Sequence, residues 1–380
     1  MKHQKHAKIS RPDYGNFARN EWSFIGTTCG AIKKLAFQLT QSLSQKYQIG
    51  YVDADHTEAD AVVADTDSAL SFGAKSAYTD KITFHRFDSQ MKPDDWQFRQ
   101  AFNALDLVLV NGNHFSAKNQ VVFIDARKKD SLQRKLERLT NVSLIILQTG
   151  ETAVFPFLKN HLKNFEQIPV VSINEYAAIE QFFLEKMQAA QPPLYGLVLA
   201  GGKSTRMGED KGLIDYHGQP QRVYVYEMLD KLCEKTFLSF REGQDGQSDL
   251  PLLTDTFTGL GPYGAILSAF REHPDRAWLV VACDLPLLDK KTLELLIARR
   301  DTSKIATAFY NPATDFPEPL ITIWEPRSYS ILLQFLAQGY SCPRKVLINS
   351  DIEMIKISDY DVLKNVNNQE ERAAIQSKFL

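Results

Sequence analysis

The sequence predicts an α/β protein of two domains, each a mostly parallel sheet with helices on both faces. Short runs rich in β-branched and apolar residues alternate along the chain with longer stretches of helical period, which is typical of a parallel sheet covered by helices. At 380 residues the chain is long for a single core. Pro192 and Pro193 cannot continue a helix and mark a linker. We therefore expect domains over residues 1–190 and 194–380.

The first half alternates strands and helices from Trp22 onward. Helices are predicted at AIKKLAFQLTQSLSQKY and from Glu175 to about Ala189. The strands of this half are predicted at the runs WSFIG, IGYVDAD, ITFHRF, LVLVNG, QVVFID, LIILQ and VVSI.

A turn between the first strand and the first helix of this half lies where a phosphate-binding P-loop would lie. Counting the pattern G-x-x-x-x-G-K-[ST] from Gly26 puts Ala31, Ile32 and Lys33 at its last three positions. The phosphate lysine and the magnesium hydroxyl are therefore both missing, while Lys33 and Lys34 continue the helix. We expect a degenerate P-loop-like domain.

The second half repeats the alternation with different sequences. Strands are predicted at YGLVLA, TFLSF, WLVVACD, KIATAFY and LITIW. Helices are predicted at QRVYVYEMLDKLC, GAILSAFRE and LELLIARR.

A glycine-rich turn follows the first strand of the second half. Adjacent glycines let the main chain approach a ligand and turn its N–H groups toward phosphate oxygens. The strand end and the turn are therefore our candidate nucleotide-binding backbone. These residues are Leu199, Ala200, Gly201 and Gly202.

Two cations belong to the same segment. Arg206 can fork onto two phosphate oxygens and Lys211 offers a compact charge, so the pair suits a triphosphate in transfer. We assign both to catalysis and Lys211 also to nucleotide binding. The alternative is a plain glycine turn with two solvated cations.

A carboxylate ends another strand of this half. The run Trp278–Ala282 leads into Asp284, and the carboxyl ends of strands are where open α/β sheets bind ligands. Magnesium needs one or two carboxylates besides substrate phosphates, so Asp284 is a candidate for catalysis, nucleotide binding and Mg²⁺. The alternative is a strand-end cap or the N-cap of the helix that follows.

Together these motifs resemble a known family. The string from Leu199 to Lys211 is similar to L-A-G-G-x-S-x-R-M-G-x-D-K, the signature of molybdenum cofactor guanylyltransferases, and the resemblance extends over about residues 194–374. It implies a Rossmann-like nucleotidyltransferase domain in which Asp284 binds the metal and Asp255 contacts the nucleotide. For Asp255 a plain turn residue is the alternative. The resemblance is weaker at Ser239 and Arg241, and at Arg344 and Lys345, which are candidates for the pterin phosphate or a solvated pair.

The first half resembles MobB-type molybdopterin adaptor GTPases at Tyr51–His56 and Asp106–Gly112. The glutamate usual in that family is replaced by Asn111, so we expect a degenerate adaptor domain. Asp53, Asp55 and His56 form a possible metal cluster, although a strand-end turn is the better interpretation.

The resemblance implies transfer of GMP from GTP to the terminal phosphate of molybdopterin, with or without molybdenum, and release of pyrophosphate. Mg²⁺ is the expected cofactor, and molybdoenzymes or other cofactor-biosynthesis proteins are further partners. The alternatives are a cytidylyl- or sugar-phosphate nucleotidyltransferase, or a catalytically silent adaptor.

The composition describes an ordinary globular protein. A formal net charge of -2, with 24% charged and 44% hydrophobic residues, excludes nucleic-acid binding through bulk charge. No apolar run approaches the roughly 20 residues of a membrane-spanning helix, and the opening residues lack a signal-peptide core, so we expect a cytoplasmic protein that does not bind membranes. The four cysteines form no CxxC pair and indicate reduced, packing thiols.

Overall fold

The computed structural model describes residues 16–55, 69–200, 211–241, 249–366 and 369–376. The chain divides into two compact units, Met1–Ala190 and Gln191–Leu380. In the described parts of the chain, no helix is both long and apolar enough to cross a lipid bilayer.

The first unit contains a parallel sheet and a separate hairpin. Its helices are α1 (Cys29–Leu43), α2 (Asp95–Ala101), α3 (Lys129–Gln133), α4 (Pro156–His161) and α5 (Tyr176–Ala189). Its strands are β1 (Glu21–Ile25), β2 (Ile49–Val52), β3 (Ser76–Asp80), β4 (His85–Ser89), β5 (Leu107–Asn111), β6 (Asn119–Ile124), β7 (Val142–Leu147) and β8 (Val170–Ser172).

Six of these strands form one sheet in the order β2-β5-β1-β6-β7-β8, and all of its pairings are parallel. Alternate residues of β1 face opposite layers, because successive side chains of a strand point to opposite sides. Phe24 packs with Ile32 of α1 and Phe183 of α5, whereas Ile25 packs with Leu132 of α3. Helices therefore cover both faces, as predicted.

The run ITFHRF, predicted as a strand of this sheet, is instead part of an antiparallel hairpin of β3 and β4. Tyr78 lies opposite Phe87 in the hairpin, and both side chains are exposed. The run spans the turn itself, since the Lys81 N–H donates to the Phe84 carbonyl and Ile82 has a φ of 71°. The sequence pattern predicts extended backbone there, but it does not reveal which strand will pair with it.

The second unit is built around a seven-stranded sheet. Its helices are α6 (Gln221–Asp230), α7 (Pro262–Glu272), α8 (Lys290–Ala298), α9 (Ser328–Ala337), α10 (Pro343–Ile348) and α11 (Gln369–Gln376). Its strands are β9 (Leu194–Leu199), β10 (Lys235–Phe240), β11 (Leu252–Thr254), β12 (Ala277–Ala282), β13 (Ala306–Asn311), β14 (Phe316–Trp324) and β15 (Glu353–Ile355).

The strand order is β11-β10-β9-β12-β14-β13-β15, and only β14 among these runs antiparallel to its neighbours. One face packs against α6 and α8 and the other against α7, α9 and α10. The predicted fold class, two α/β units with mostly parallel sheets, is therefore confirmed.

The order of strands reverses beside β9. From β9 the chain builds β10 and β11 on one side and then crosses to β12 on the other, which creates the crevice where open α/β sheets bind ligands. The carboxyl ends of these strands are aligned with one another, because Leu199 lies opposite Ser239 and Ala282, and Ser239 lies opposite Leu253. The residues that follow four strands therefore meet at one edge.

A buried ion pair stabilises the opposite edge of this sheet. Arg300 donates from Nε and Nη2 to the two oxygens of Glu325 at 2.6 and 2.8 Å, and from Nη2 to the Pro192 carbonyl at 2.8 Å. Glu325 is fully buried, and burial raises the pKa of its carboxyl while Arg300 opposes the rise.

Replacing Arg300 with Met should lower the free energy of unfolding by about 3–5 kcal/mol, because it leaves an unpaired buried carboxylate. Urea denaturation followed by circular dichroism measures this loss. The double variant R300M/E325L should recover much of the stability, since both charges are then gone. Equal stability of R300M and wild type would contradict this account of the pair.

Candidate active site

A lysine and an aspartate distant in sequence meet at the carboxyl edge of β9 and β12. Lys211 begins a short 3-10 turn, Lys211–Leu213, and Asp284 follows β12 by two residues. The Lys211 Nζ donates to Asp284 Oδ2 at 3.3 Å, and the side chains are 23% and 19% exposed. The Val366 N–H donates to the main-chain carbonyl of Asp284 at 2.9 Å. A cation and a carboxylate are thus held together at the switch point.

Asp284 is not the N-cap of the following helix. That position belongs to Asp289, whose Oδ1 accepts from the Thr292 N–H at 2.8 Å. The Oδ1 of Asp284 is buried, and no donor to it exists among the described residues. Hard divalent cations take carboxylate oxygens as ligands, so this atom is suited to bind one.

A metal held here would depend on substrate for its other ligands. Within the described ranges, no three His, Cys, Asp or Glu side chains cluster closely enough to bind a metal by themselves. Mg²⁺ characteristically takes one or two carboxylates and completes its shell with phosphates and water. Asp284 therefore fits a metal that arrives with a phosphate-bearing ligand.

The end of β9 is fixed to the Asp284 segment. Cys283, which the sequence indicated only as a packing residue, donates from Sγ to the Leu199 carbonyl at 3.1 Å. Ala200 is buried, and its N–H donates to the Val198 carbonyl. The predicted residues Gly201, Gly202 and Arg206 lie outside the described residues.

A second carboxylate occupies the same edge two strands away. Asp255 follows β11, at about 10 Å from the end of β9 by strand spacing. Its Oδ1 accepts from the buried Ser239 hydroxyl at 2.7 Å. Burial raises the pKa of Asp255, whereas the Ser239 hydrogen bond and the Arg241 charge act to lower it. Asp255 and Ser239 are therefore hydrogen-bond partners. The family resemblance at Ser239 was weak in the sequence, and the structure gives this residue a defined contact with a candidate site residue.

The expected pterin-phosphate candidates have separate partners. Arg344 donates to Glu318 Oε2 at 3.4 Å, and Glu318 also accepts from Asn311. Lys345 lies over the Tyr340 ring, 5.3 Å from its centroid. The sequence analysis missed Glu318 and Asn311, because only the pairing of β13 with β14 brings them to Arg344.

The turn of the first unit that lies where a P-loop would lie is held by the conformation of Gly26 and by contacts of Thr27 and Thr28. Gly26 has a φ of 99°, and Thr28 caps α1 by accepting from the Ala31 N–H. Lys33 lies over the Phe37 ring on α1, as expected for a residue that continues the helix. The Thr27 hydroxyl donates to Asp125 Oδ2 at 2.6 Å.

A cavity of about 220 Å³ lies beside this turn, with Cys29, His114 and two lysines in its lining. Burial and the nearby positive charges lower the pKa of one of them, Lys135. The sequence analysis gave Asp53 as a residue of a strand-end turn or, alternatively, as a metal ligand. Its carboxylate accepts from Tyr51 Oη at 2.6 Å and from Asn111 Nδ2 at 2.7 Å. His56 lies outside the described residues.

The second unit is thus a doubly wound α/β unit whose switch-point edge carries a lysine–aspartate pair, the arrangement of a protein that acts on phosphate-bearing ligands. Residues 196–352 match the family model of the MobA-like NTP transferase domain.

Curated relatives carry a consistent description. The chain is 31% identical to the molybdenum cofactor guanylyltransferase of Pseudomonas aeruginosa, over 48% of this chain and 94% of that protein. It is 39% identical to the molybdenum cofactor biosynthesis bifunctional protein of Synechocystis, over 50% of this chain, and spans 56% of that protein's length. The chain belongs to the molybdenum cofactor guanylyltransferase family, and the resemblance found in the sequence is confirmed.

Two solved structures resemble parts of the chain. The molybdopterin-guanine dinucleotide biosynthesis protein A of Archaeoglobus fulgidus is 19% identical over 48% of this chain and 97% of that chain, with a TM-score of 0.43. A MobB protein homolog of Bacillus stearothermophilus is 18% identical over 45% of this chain and 99% of that chain, with a TM-score of 0.32.

Proposed function

We propose that the second unit transfers GMP from GTP to the terminal phosphate of molybdopterin and releases pyrophosphate. The observation that carries the proposal is the Lys211–Asp284 pair at the switch-point edge. Family membership supports the reaction class, and the names of the relatives support the nucleotide and the acceptor.

In this reaction an acceptor phosphate oxygen forms a bond to the α-phosphorus while the bond from that phosphorus to the bridging oxygen breaks. The leaving pyrophosphate takes the electron pair. Lys211 would neutralise charge on the α-phosphate, chiefly by position and electrostatics. No general base is required, because a phosphate acceptor is already ionised at neutral pH. Arg206 and the amides of Gly201 and Gly202 remain proposed phosphate contacts.

Members of this family generally depend on a divalent metal. We propose Mg²⁺, held by Asp284 together with substrate phosphate. The bound ion would supply Lewis-acid stabilisation of phosphoryl charge. The buried Oδ1 of Asp284 is the atom that supports this assignment.

We propose that Asp255 recognises the base of the nucleotide. An ionised carboxylate accepts two hydrogen bonds and so matches the N1–H and N2–H donors of guanine. Cytosine presents the N4–H donor beside the N3 acceptor on its corresponding edge, and this pair matches a protonated carboxyl better. The hydrogen bond from Ser239 favours the ionised form of Asp255 and therefore favours guanine.

Replacing Ser239 with Ala should raise the KM for GTP about tenfold near pH 6 and less near pH 8. Loss of the hydroxyl raises the pKa of Asp255 further, so the carboxylate is protonated as the pH falls. Steady-state kinetics with GTP across this pH range tests the prediction, with S239T as the control that keeps the hydroxyl. A pH-independent change in KM would indicate that Ser239 acts only on packing.

For the first unit we propose a degenerate molybdopterin adaptor that assists the second, with molybdoenzymes or cofactor-biosynthesis proteins as partners. We propose a cytoplasmic location for the protein.

The alternatives for the second unit are transfer of CMP, a sugar-phosphate acceptor, or a silent adaptor.

Mass analysis of the product decides among these. The purified chain is incubated with molybdopterin, Mg²⁺ and either GTP or CTP, and once more with EDTA. A guanine dinucleotide formed only with metal is the expected result. A cytosine product would correct the base, and no pterin product from folded protein would reject the proposed acceptor.

A further inference from the structure

One arginine of the second unit is buried without an anionic partner among the described residues. Arg222 is the second residue of α6 and is 9% exposed. Its Nε is buried, and no acceptor for it exists within the described ranges. The preceding residue, Gln221, is fully buried, and among the same residues its Oε1 has no donor. The first turn of α6 thus carries unmatched polar atoms on two successive side chains.

The contact that Arg222 does make does not compensate for its charge. Its guanidinium carbon lies 5.8 Å from the centroid of the Phe240 ring. A cation over a phenylalanine ring recovers only part of the hydration that a guanidinium loses on burial. A buried arginine is normally paired with a carboxylate or a phosphate, for which its planar fork is suited.

The position of Arg222 is at the substrate edge. Phe240 is the last residue of β10, the strand beside β9. Gln221 donates from its backbone N–H to the Ile214 carbonyl at 2.9 Å and from Nε2 to the Leu285 carbonyl at 3.3 Å. Ile214 follows the Lys211 turn and Leu285 follows Asp284. The helix start that carries Arg222 is therefore tied to both halves of the catalytic pair.

We propose that Arg222 binds the β- and γ-phosphates of the nucleotide and stabilises them as they leave as pyrophosphate. This inference rests on the proposed nucleotidyl transfer. Lys211 and a metal on Asp284 serve the α-phosphorus, and the two outer phosphates carry most of the remaining negative charge of the nucleotide, which Arg222 would share with the proposed contact Arg206. Arg222 supplies its positive charge from a buried site, where a cation–anion pair is screened less than at the surface.

Inorganic pyrophosphate is the probe, because it binds without turnover. Isothermal titration calorimetry with Mg²⁺ present compares wild type with R222M, which keeps the length of the side chain and removes its charge. The dissociation constant for pyrophosphate should rise at least tenfold in R222M and by a smaller factor in R222K. R276M is the control, because Arg276 lies over the Tyr195 ring at the opposite edge of the sheet.

Thermal denaturation gives a second readout. Because R222M removes an unpaired buried charge, its ligand-free Tm should be equal to or above that of wild type, while pyrophosphate should raise its Tm less. An unchanged dissociation constant for pyrophosphate in R222M would overturn the proposal. An increased KM for the acceptor alone would overturn it too, because the guanidinium would then hold the acceptor phosphate.

The failure of this inference and that of the proposed function are separable. Binding of pyrophosphate that is independent of Arg222, in a chain that forms the guanine dinucleotide, rejects only the role of Arg222. Absence of any nucleotide product, with pyrophosphate binding that requires Arg222, rejects only the proposed transfer.

Discussion

Replacing Asp284 with Asn should lower kcat by a factor of about 10³ or more while leaving the fold intact. A metal that neutralises phosphoryl charge contributes several kcal/mol to transition-state stabilisation, and each 1.36 kcal/mol is a factor of ten in rate. Asparagine has the same shape as aspartate, and the buried Oδ1 loses no donor among the described residues. Single-turnover formation of the pterin dinucleotide, with saturating GTP and Mg²⁺, measures the effect.

Asp289 is the matched control, because it follows Asp284 by five residues but caps α8. D289A should lower stability by about 1 kcal/mol, as loss of an N-cap does, and leave kcat near the wild-type value. If D284N turned over at the wild-type rate, the metal-binding role of Asp284 would be wrong.

Replacing Lys211 with Met should lower kcat/KM for GTP by about 10² or more. The ammonium group is the described cation closest to Asp284, and its removal takes away one of the positive charges proposed to stabilise the developing phosphoryl charge. The same single-turnover assay at several GTP concentrations separates binding from chemistry.

Lys231 provides the comparison for Lys211, because it is an exposed residue at the far end of α6. K231M should be indistinguishable from wild type. Full activity of both K211M and D284N would contradict the catalytic roles assigned to Lys211 and Asp284, whereas wild-type protein that binds GTP without turnover would support the silent-adaptor alternative.

Much of the site was accessible from the sequence, because strand ends in a parallel sheet meet at one edge. The apolar runs before Ala200 and Asp284 predicted two such ends, and the structure brings Lys211 to Asp284 there. Side-chain contacts between neighbouring strands could not be predicted from the sequence. The hydrogen bond from Ser239 to Asp255 depends on the register of β10 and β11, which no local pattern encodes.

Burial of a charge is equally hard to predict. Arg222 lies in the first turn of a helix and directly follows the polar residue Gln221. An arginine at such a position is expected to be solvated unless tertiary packing covers it. The hairpin of β3 and β4 illustrates the same limit, because extended propensity does not specify a partner strand. The roles expected for Gly201, Gly202 and Arg206 stay predictions.

The single reversed strand of the second unit has an evolutionary consequence. Because β14 runs against β12, with Trp324 opposite Trp278, it delivers Glu325 to the amino edge of the sheet, the side away from Asp284. The residues that anchor the sheet and those that we propose to select the substrate thus lie at opposite ends of the same strands. Substitutions that adapt the unit to another base or acceptor can accumulate at one end while the ion pair at the other preserves foldability.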